Sequence, residues 1–464
     1  MHAHEAGALH GQAGHRGPSW LQAPADPNDL VTHLWSESVS KPDGVLQVAG
    51  VSAADLAAEF GTPTYVIDED DFRQRARAFS DAFTGADVYY AGKAFLCTAT
   101  ARWVKEEGLN IDVCTGGELA VALRANFPPE RIGLHGNNKS VAEITRALEV
   151  GVGRIIVDSF EEIHRITKLA ARRGVTAKVM VRVTAGVEAH THEYIATAHE
   201  DQKFGFSITG GDALEAVRRI LAEPSLELLG LHSHIGSQIF DTSGFEVSAR
   251  RVLALHAQIV RELDFVPAEF DLGGGYGIAY TTQDDPSSPD QLADGMLGIV
   301  GRECEALGVD VPLLSIEPGR AIAGPSTFTL YEVGMTKTVA LDGGAERRYV
   351  SVDGGMSDNI RTALYDAEYS CTLASRRSDV PPVLSRVVGK HCEAGDIVVK
   401  DEFLPGDVAA GDLIAVPVTG AYCRSLASTY NHVPRAAVVA VRMGEARLIM
   451  RRETEDDLFI LDIG

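Results

Sequence analysis

Lys93 stands in the stretch YYAGKAF, after a strand-like run and ahead of a helical pattern. A lysine held in a desolvated mouth at a strand end can form a Schiff base with a carbonyl, because low-dielectric surroundings favour its neutral, nucleophilic amine. Alone, such a lysine reads as a surface charge; its company changes the reading. Gly273, Gly274 and Gly275 form a triplet that lets backbone amides approach an anion, and Ser237, after Ile235 and Gly236, offers a hydroxyl near another strand end. Together they suggest a phosphate site, although a glycine triplet by itself equally suits a tight turn. Glu317 and Arg320 add a carboxylate and a guanidinium three residues apart in EPGR, where Pro318 and Gly319 fix the turn. A structural ion pair is one reading of these two. The other is that Glu317 pairs with the protonated nitrogen of a pyridoxal ring, keeping the ring an electron sink, with His234 covering one ring face.

These residues need elements that bring them together. Beyond Gly61, eight β-rich runs alternate with helical patterns: Asp87–Ala91, Asn110–Val113, Arg131–His135, Arg154–Asp158, Ala177–Val183, Leu228–His234, Glu269–Leu272 and Leu313–Glu317. Thr115 with Glu118, Ser140 with Glu143, Ser159 with Glu162, and Ser243 with Glu246 have capping-box spacing and predict helix starts. After Ser159, the residues Ile163, Ile166, Leu169 and Ala170 share one helical face, and Gly174 follows as a stop. Eight strand–helix units predict a closed (β/α)8 TIM-type barrel, whose chemistry gathers on the loops at the strands' C-terminal ends. An open doubly wound sheet is the alternative. Lys93, Thr115, His135, Asp158, His234, Gly273 to Gly275 and Glu317 all fall at or just beyond such ends, which favours the barrel.

After Pro325 helical patterns fade and strand-like runs follow at Thr327–Val333, Arg348–Val352, Asp396–Val399 and Leu413–Val418. The expected fold class is therefore α/β plus β: a barrel over 65–325 and a second, mainly β domain from 29–64 with 326–464. Val45–Val51 and Thr64–Ile67 would add strands to that domain. Residues 1–28, rich in Pro, Gly and His and without apolar periodicity, read as a mobile arm.

Composition bounds the function. The 464 residues are 45% hydrophobic and 23% charged, as in ordinary folded proteins, and the net charge of −23 argues against nucleic-acid and membrane partners. Six cysteines without a CxxC pair, no apolar run of membrane length and no signal-peptide pattern give the cytoplasm as the expected location. His2, His4, His10 and His15 in the arm, and His190, His192 and His199 further on, read as solvated or packed imidazoles in preference to metal ligands, so no metal is expected.

YYAGKAF around Lys93, DVCTGGEL from Asp112, HSHIGSQ from His232, GGGYGI from Gly273, EPGR from Glu317, GKHCEAGD from Gly389 and GAYCRS from Gly420 together resemble the meso-diaminopimelate decarboxylases, pyridoxal-phosphate enzymes of the alanine-racemase-like fold. The resemblance runs from about Val45 to the C-terminus. It implies a homodimer with active sites at the subunit interface and decarboxylation of meso-2,6-diaminopimelate to L-lysine and CO2, the last step of bacterial lysine synthesis. It also implies roles: Lys93 as the Schiff-base lysine, His234 on the ring face, and Ser237, Gly274 and Gly275 on the phosphate. Glu317 would sit at the pyridine nitrogen, with Gly319, Arg320 and Tyr422 beside the cofactor. Arg320, Arg361 and Tyr365 would take the distal carboxylate, Glu393 the distal ammonium with Tyr422 near the substrate, and Cys392 from the second subunit would reprotonate the carbanion. Taken alone, Cys392 reads as a buried thiol. Arg424 and Tyr276 depart from the family's usual residues and leave the pocket's detailed shape open. Sibling decarboxylases of ornithine, arginine or a carboxylated polyamine are the nearest alternatives, alanine racemase a weaker one, and a non-catalytic cofactor-binding homologue the alternative of another class.

Overall fold

The structure, a computed structural model, describes residues 17–186, 203–341 and 345–464. The chain divides into two units: residues 73–278 with 286–322, and residues 1–72 with 279–285 and 323–464. The histidines numbered 2, 4, 10, 15, 190, 192 and 199 lie outside the described residues.

The first unit is the barrel. Its parallel strands are Asp87–Ala91, Asn110–Val113, Ile132–Leu134, Arg154–Val157, Ala177–Thr184, Leu226–His232, Glu269–Asp271 and Leu313–Ile316. Each pairs with the next, and Ser315 and Ile316 of the eighth pair with Asp87 and Val88 of the first, so the sheet closes. Strands buried by helices outside and side chains inside read as continuous apolar runs, which is why RIIV and the buried part of AKVMVRVT were legible. The helix Phe160–Arg173 buries Ile163, Ile166, Leu169 and Ala170, and Gly174 ends it in the left-handed region at φ 65°. Each such large aliphatic side chain contributes about 1.5–3 kcal/mol by leaving water.

Helix starts follow local chemistry closely, with one exception. Ser140 and Glu143 form the reciprocal capping box. Thr115 and Ser159 accept from the amides of Glu118 and Glu162, but both glutamates turn one residue further back, to the amides of Cys114 and Asp158. Ser243 is not a cap at all: the helix Ser243–Leu263 already includes it, and its amide donates to Asp241 Oδ1 at 2.8 Å. The Glu246 amide that the serine hydroxyl was expected to satisfy donates instead to the Thr242 carbonyl at 2.9 Å, and the Ser243 hydroxyl donates to Asp241 Oδ1.

The second unit holds a sheet ordered Ile397–Pro405, Pro382–Val388, Glu346–Val352, Thr327–Ala340, Thr64–Asp68, Ala437–Arg442, Glu445–Met450. Thr64–Asp68 lies in its middle, Tyr65 in register with Thr329 on one side and Val438 on the other. Residues 65–72 therefore belong with the β sheet, and the barrel unit starts at Arg73 instead of 65. Val45–Val51 does not join this sheet; Gln47–Val48 and Val51–Ser52 form a small antiparallel sheet with Val39–Ser40. The expected arm is in part built in: Asn28 is buried, donating to Ser378 O at 2.8 Å and accepting from Ser378 N at 2.9 Å. No helix among the described residues is long and apolar enough to cross a membrane.

Removing the Ser140 cap is expected to cost about 1 kcal/mol of stability, and removing the Ser243 hydroxyl less than about 0.5 kcal/mol. Urea unfolding midpoints of Ser140→Ala and Ser243→Ala check this; equal losses would contradict the capping assignment.

Candidate active site

A cavity of about 430 Å³ opens at the C-terminal ends of the barrel strands, a size suited to a small-molecule ligand. Lys93 lines it from the loop after the first strand, Asp112 and Cys114 from the second, His135 to Asn138 from the third, Arg182 from the fifth, His232 and His234 from the sixth and Glu317 from the eighth. Lys93 is exposed at the mouth, not desolvated as its strand-end position suggested.

Glu317 is 6% exposed and organises the floor. Its Oε1 accepts from His232 Nε2 at 2.9 Å and lies 3.3 Å from His135 Nε2, which is also 3.1 Å from Asp112 Oδ1. The His135, His232 and Glu317 ligand atoms lie within 4.8 Å of one another. Burial alone would raise the Glu317 pKa, but the imidazoles of His135 and His232, the N–H from His232 and nearby His234 outweigh it and hold the carboxyl well below its usual range. Asp112 behaves oppositely: burial and the neighbouring Glu317 charge push it well above the usual carboxylate range. The two surroundings push the carboxyls in opposite directions, favouring the negative charge on Glu317. Burial pushes His135 down to about 4. Burial first, then the Lys93 and Arg182 cations, hold His234 well below an ordinary imidazole.

Beside this floor the backbone is packed to the limit. Gly273 and Gly275 adopt φ of 73° and 105°, and Asp271 Oδ1 accepts the Gly273 amide at 2.7 Å. A Cβ on Gly274 would come within 2.2 Å of the Glu317 carbonyl oxygen, and one on Gly275 within 2.3 Å of that of Gly236, so only glycine fits. The Gly274 amide donates to His234 Nδ1 at 3.2 Å, which leaves the imidazole hydrogen on Nε2. Arg320 Nη2 donates to Ser237 Oγ at 2.8 Å, placing a guanidinium and a hydroxyl together. Gly319 packs on the first strand, where a Cβ would meet Ala91 at 2.9 Å. Tyr276, a departure from the usual family residue, is buried between the rings of Phe79 and Phe245, its hydroxyl donating to Gly273 O at 3.2 Å. It braces the glycine turn from below.

In the β unit, Arg361 is 6% exposed, its guanidinium over the Tyr280 ring at 4.5 Å and donating to the Tyr369 hydroxyl. Among the described residues no carboxylate pairs with it, and its Nε has no partner. A buried guanidinium without a counter-ion is a prepared site for an anion. Tyr365 closes the same short helix, Arg361–Tyr365, half-buried. Tyr422 holds φ 61°, a strained position for a residue with a side chain, directly after the Gly420 turn. Cys392 and Glu393 are exposed, so the reading of Cys392 as a buried thiol is corrected. Asp396 anchors their turn by accepting the amides of His391 at 2.7 Å and Met356 at 2.6 Å.

The barrel thus gathers Lys93, His234 and Glu317 around one cavity, with Ser237 joined to Arg320 and Gly274 to His234. Sequence reasoning gave no role to His232, Asp112 or Arg182. They were visible in HSHIGSQ and DVCTGGEL, and at the end of the fifth strand, but period-two alternation alone does not say which strand residue faces a cavity.

Because folded His135 takes its proton only near pH 4 whereas an unfolded histidine takes it near 6.5, the unfolded chain binds the extra proton between them, and stability rises with pH across that window. His135→Asn is expected to flatten that rise by up to about 1.4 kcal/mol per pH unit in the apoprotein. Urea unfolding at several pH values in the window reads it; an unchanged slope would contradict a buried neutral imidazole.

Residues 69–324 match the family described as pyridoxal-dependent decarboxylase, pyridoxal binding domain. The diaminopimelate decarboxylase of Mycobacterium tuberculosis is 58% identical over 442 residues, covering 94% of this chain and 98% of its own, and that of Mycobacterium leprae is 55% identical across 100% of both. Among solved structures, a diaminopimelate decarboxylase from M. jannaschii in co-complex with L-lysine matches with a TM-score of 0.86 at 31% identity, covering 92% of this chain and 98% of that one. With its strand-end lysine, glycine cradle and buried carboxylate, the chain belongs to the diaminopimelate decarboxylases, a family of pyridoxal-dependent decarboxylases.

Proposed function

We propose that this chain decarboxylates meso-2,6-diaminopimelate to L-lysine and CO2, with pyridoxal 5'-phosphate in the barrel mouth and a homodimer completing each site. The observation that carries this reading is the single cavity lined by Lys93, His234 and Glu317. The donor set fits the cofactor: an amine for its aldehyde, an imidazole for a ring face, a charged carboxylate for its ring nitrogen, and the Arg320–Ser237 pair beside a side-chain-free glycine turn for its phosphate dianion. When bound, pyridoxal phosphate supplies an electron sink for the bond to the departing carboxylate.

The chain's own groups do the rest. Lys93 would hold the cofactor by its aldehyde, the amine standing at the cavity mouth. An ionised Glu317 would keep the cofactor's ring nitrogen protonated, which a neutral carboxyl would not do. His234, uncharged, covers the ring without competing for the positive charge. Tyr422 lies by the phosphate and substrate in this reading, and its strained backbone is consistent with a functional position.

Substrate selection falls to the β unit. Arg361, buried and without a carboxylate partner, takes the distal carboxylate together with Arg320 and Tyr365, and Glu393 takes the distal ammonium. Ornithine and arginine lack that distal carboxylate and would leave Arg361 buried and unpaired, a cost of several kcal/mol that argues against them as substrates. The partner's Cys392 delivers the proton that replaces CO2, and its exposure on this chain is what a thiol offered to another subunit requires.

Carbon dioxide release from meso-diaminopimelate, set against ornithine and arginine, tests the assignment: faster turnover of either competitor overturns it. Lys93→Ala is expected to abolish turnover and borohydride labelling. Cys392→Ala is expected to slow turnover at least about 100-fold, and mixing the two inactive variants to restore some activity through hybrid dimers. No restoration despite verified subunit exchange would overturn the shared site.

A further inference from the structure

We propose that His232 and His135 are positioning residues that clamp one edge of Glu317, holding its Oε1 so that Oε2 alone is presented to the ring nitrogen of the cofactor. This rests on the reading that the cavity takes pyridoxal phosphate. Both imidazoles converge on the same oxygen, His232 Nε2 donating to it at 2.9 Å and His135 Nε2 lying 3.3 Å from it. A carboxylate can only accept, so the short His232 contact puts the ring hydrogen on Nε2. His232 Nδ1 is buried without a partner, so His232 spends its one available contact on Glu317. The two rings meet edge to face with centroids 5.2 Å apart, which fixes each against the other.

The surroundings explain why a clamp is needed. Glu317 shares its pocket with Asp112 across His135, and with the cations Arg154 and Arg182 and the imidazole of His234 around them. Arg154 is committed elsewhere, to Asp271 and to Ser315 Oγ at 3.0 Å, and Arg182 lies 3.9 Å from Asp158. Without the His232 hydrogen bond the carboxylate would lose a donor that fixes it and would turn more easily about its terminal torsion, which is broad for glutamate. His135 Nε2 also lies 3.1 Å from Asp112 Oδ1, so its ring stands between the two carboxyls.

The test compares His232→Phe, which keeps the ring volume but has no donor, with His232→Gln, whose amide nitrogen can occupy the position of Nε2. Equilibrium dissociation of pyridoxal phosphate and the absorption spectrum of the bound cofactor are read for each, with thermal melts reporting folding. The expected result is that His232→Phe weakens cofactor binding about 10- to 100-fold and shifts the absorption band, and that His232→Gln restores most of both. Equal effects in the two variants, or an unchanged dissociation constant and spectrum in His232→Phe, would overturn the clamp. Should His232→Phe fail to fold, His232→Gln against His232→Ala gives the same comparison. A wild-type protein that binds no pyridoxal phosphate would overturn the cofactor reading itself, so the two failures are told apart.

Discussion

A single buried negative charge sets the terms for the barrel. A carboxylate removed from water costs several kcal/mol unless donors or cations replace its hydration. Glu317 meets that requirement with the His232 imidazole N–H, and with the His135 ring close by, in place of a lysine or arginine. The choice has a chemical consequence: a guanidinium paired with Glu317 would neutralise the charge a protonated ring nitrogen needs, whereas an imidazole donor stabilises the carboxylate and leaves its charge available. The arginines nearby are tied to other acids, Arg154 to Asp271 and Arg182 near Asp158.

The fold supplies that arrangement through closure. Lys93, Asp112, His135, His232 and Glu317 come from the first, second, third, sixth and eighth strands, and only a closed sheet brings the ends of its first and last strands side by side. The packing at the closure leaves no slack: Gly319 against Ala91, Gly274 against the Glu317 carbonyl, and Ala91 N donating to Pro318 O at 3.1 Å. Small residues at these crossings let the strand ends approach closely enough for side chains from different strands to hydrogen-bond, as His232 does with Glu317. A methyl group at any of these glycines would separate them by more than a hydrogen bond tolerates.

Much of this was legible in the sequence, for identifiable reasons. All eight barrel strands were marked because buried parallel strands are unbroken apolar runs, and their ends shifted by two residues at most, as in Leu226–His232. Lys93, His234, Ser237 and Glu317 stood out because charged and polar residues at strand ends have no packing explanation. Three things were not legible. Ser243 carried the right spacing, but the helix already includes it and the Glu246 amide bonds to the Thr242 carbonyl, a boundary shift of one residue that spacing cannot show. The central position of Thr64–Asp68 depends on partners hundreds of residues away, in register with Thr329 and Val438. The roles of His232 and Asp112 depend on which atom faces which, and sequence holds no distances.

The net charge of −23 and the chemistry of the mouth are reconciled by range. Surface carboxylates act through solvent and are screened beyond a Debye length of about 8 Å at physiological salt, enough to disfavour a polyanion lying across the surface. A phosphate dianion held at contact distance would answer instead to the groups touching it, and in the proposed site those are Arg320 with its Ser237 partner and the uncharged glycine turn. The same logic holds for Arg361, whose burial among Tyr280 and Tyr369 removes the water that would otherwise weaken its pull. An acidic exterior disfavours large anions, whereas a buried guanidinium such as Arg361 keeps its full pull for a small anion that reaches it.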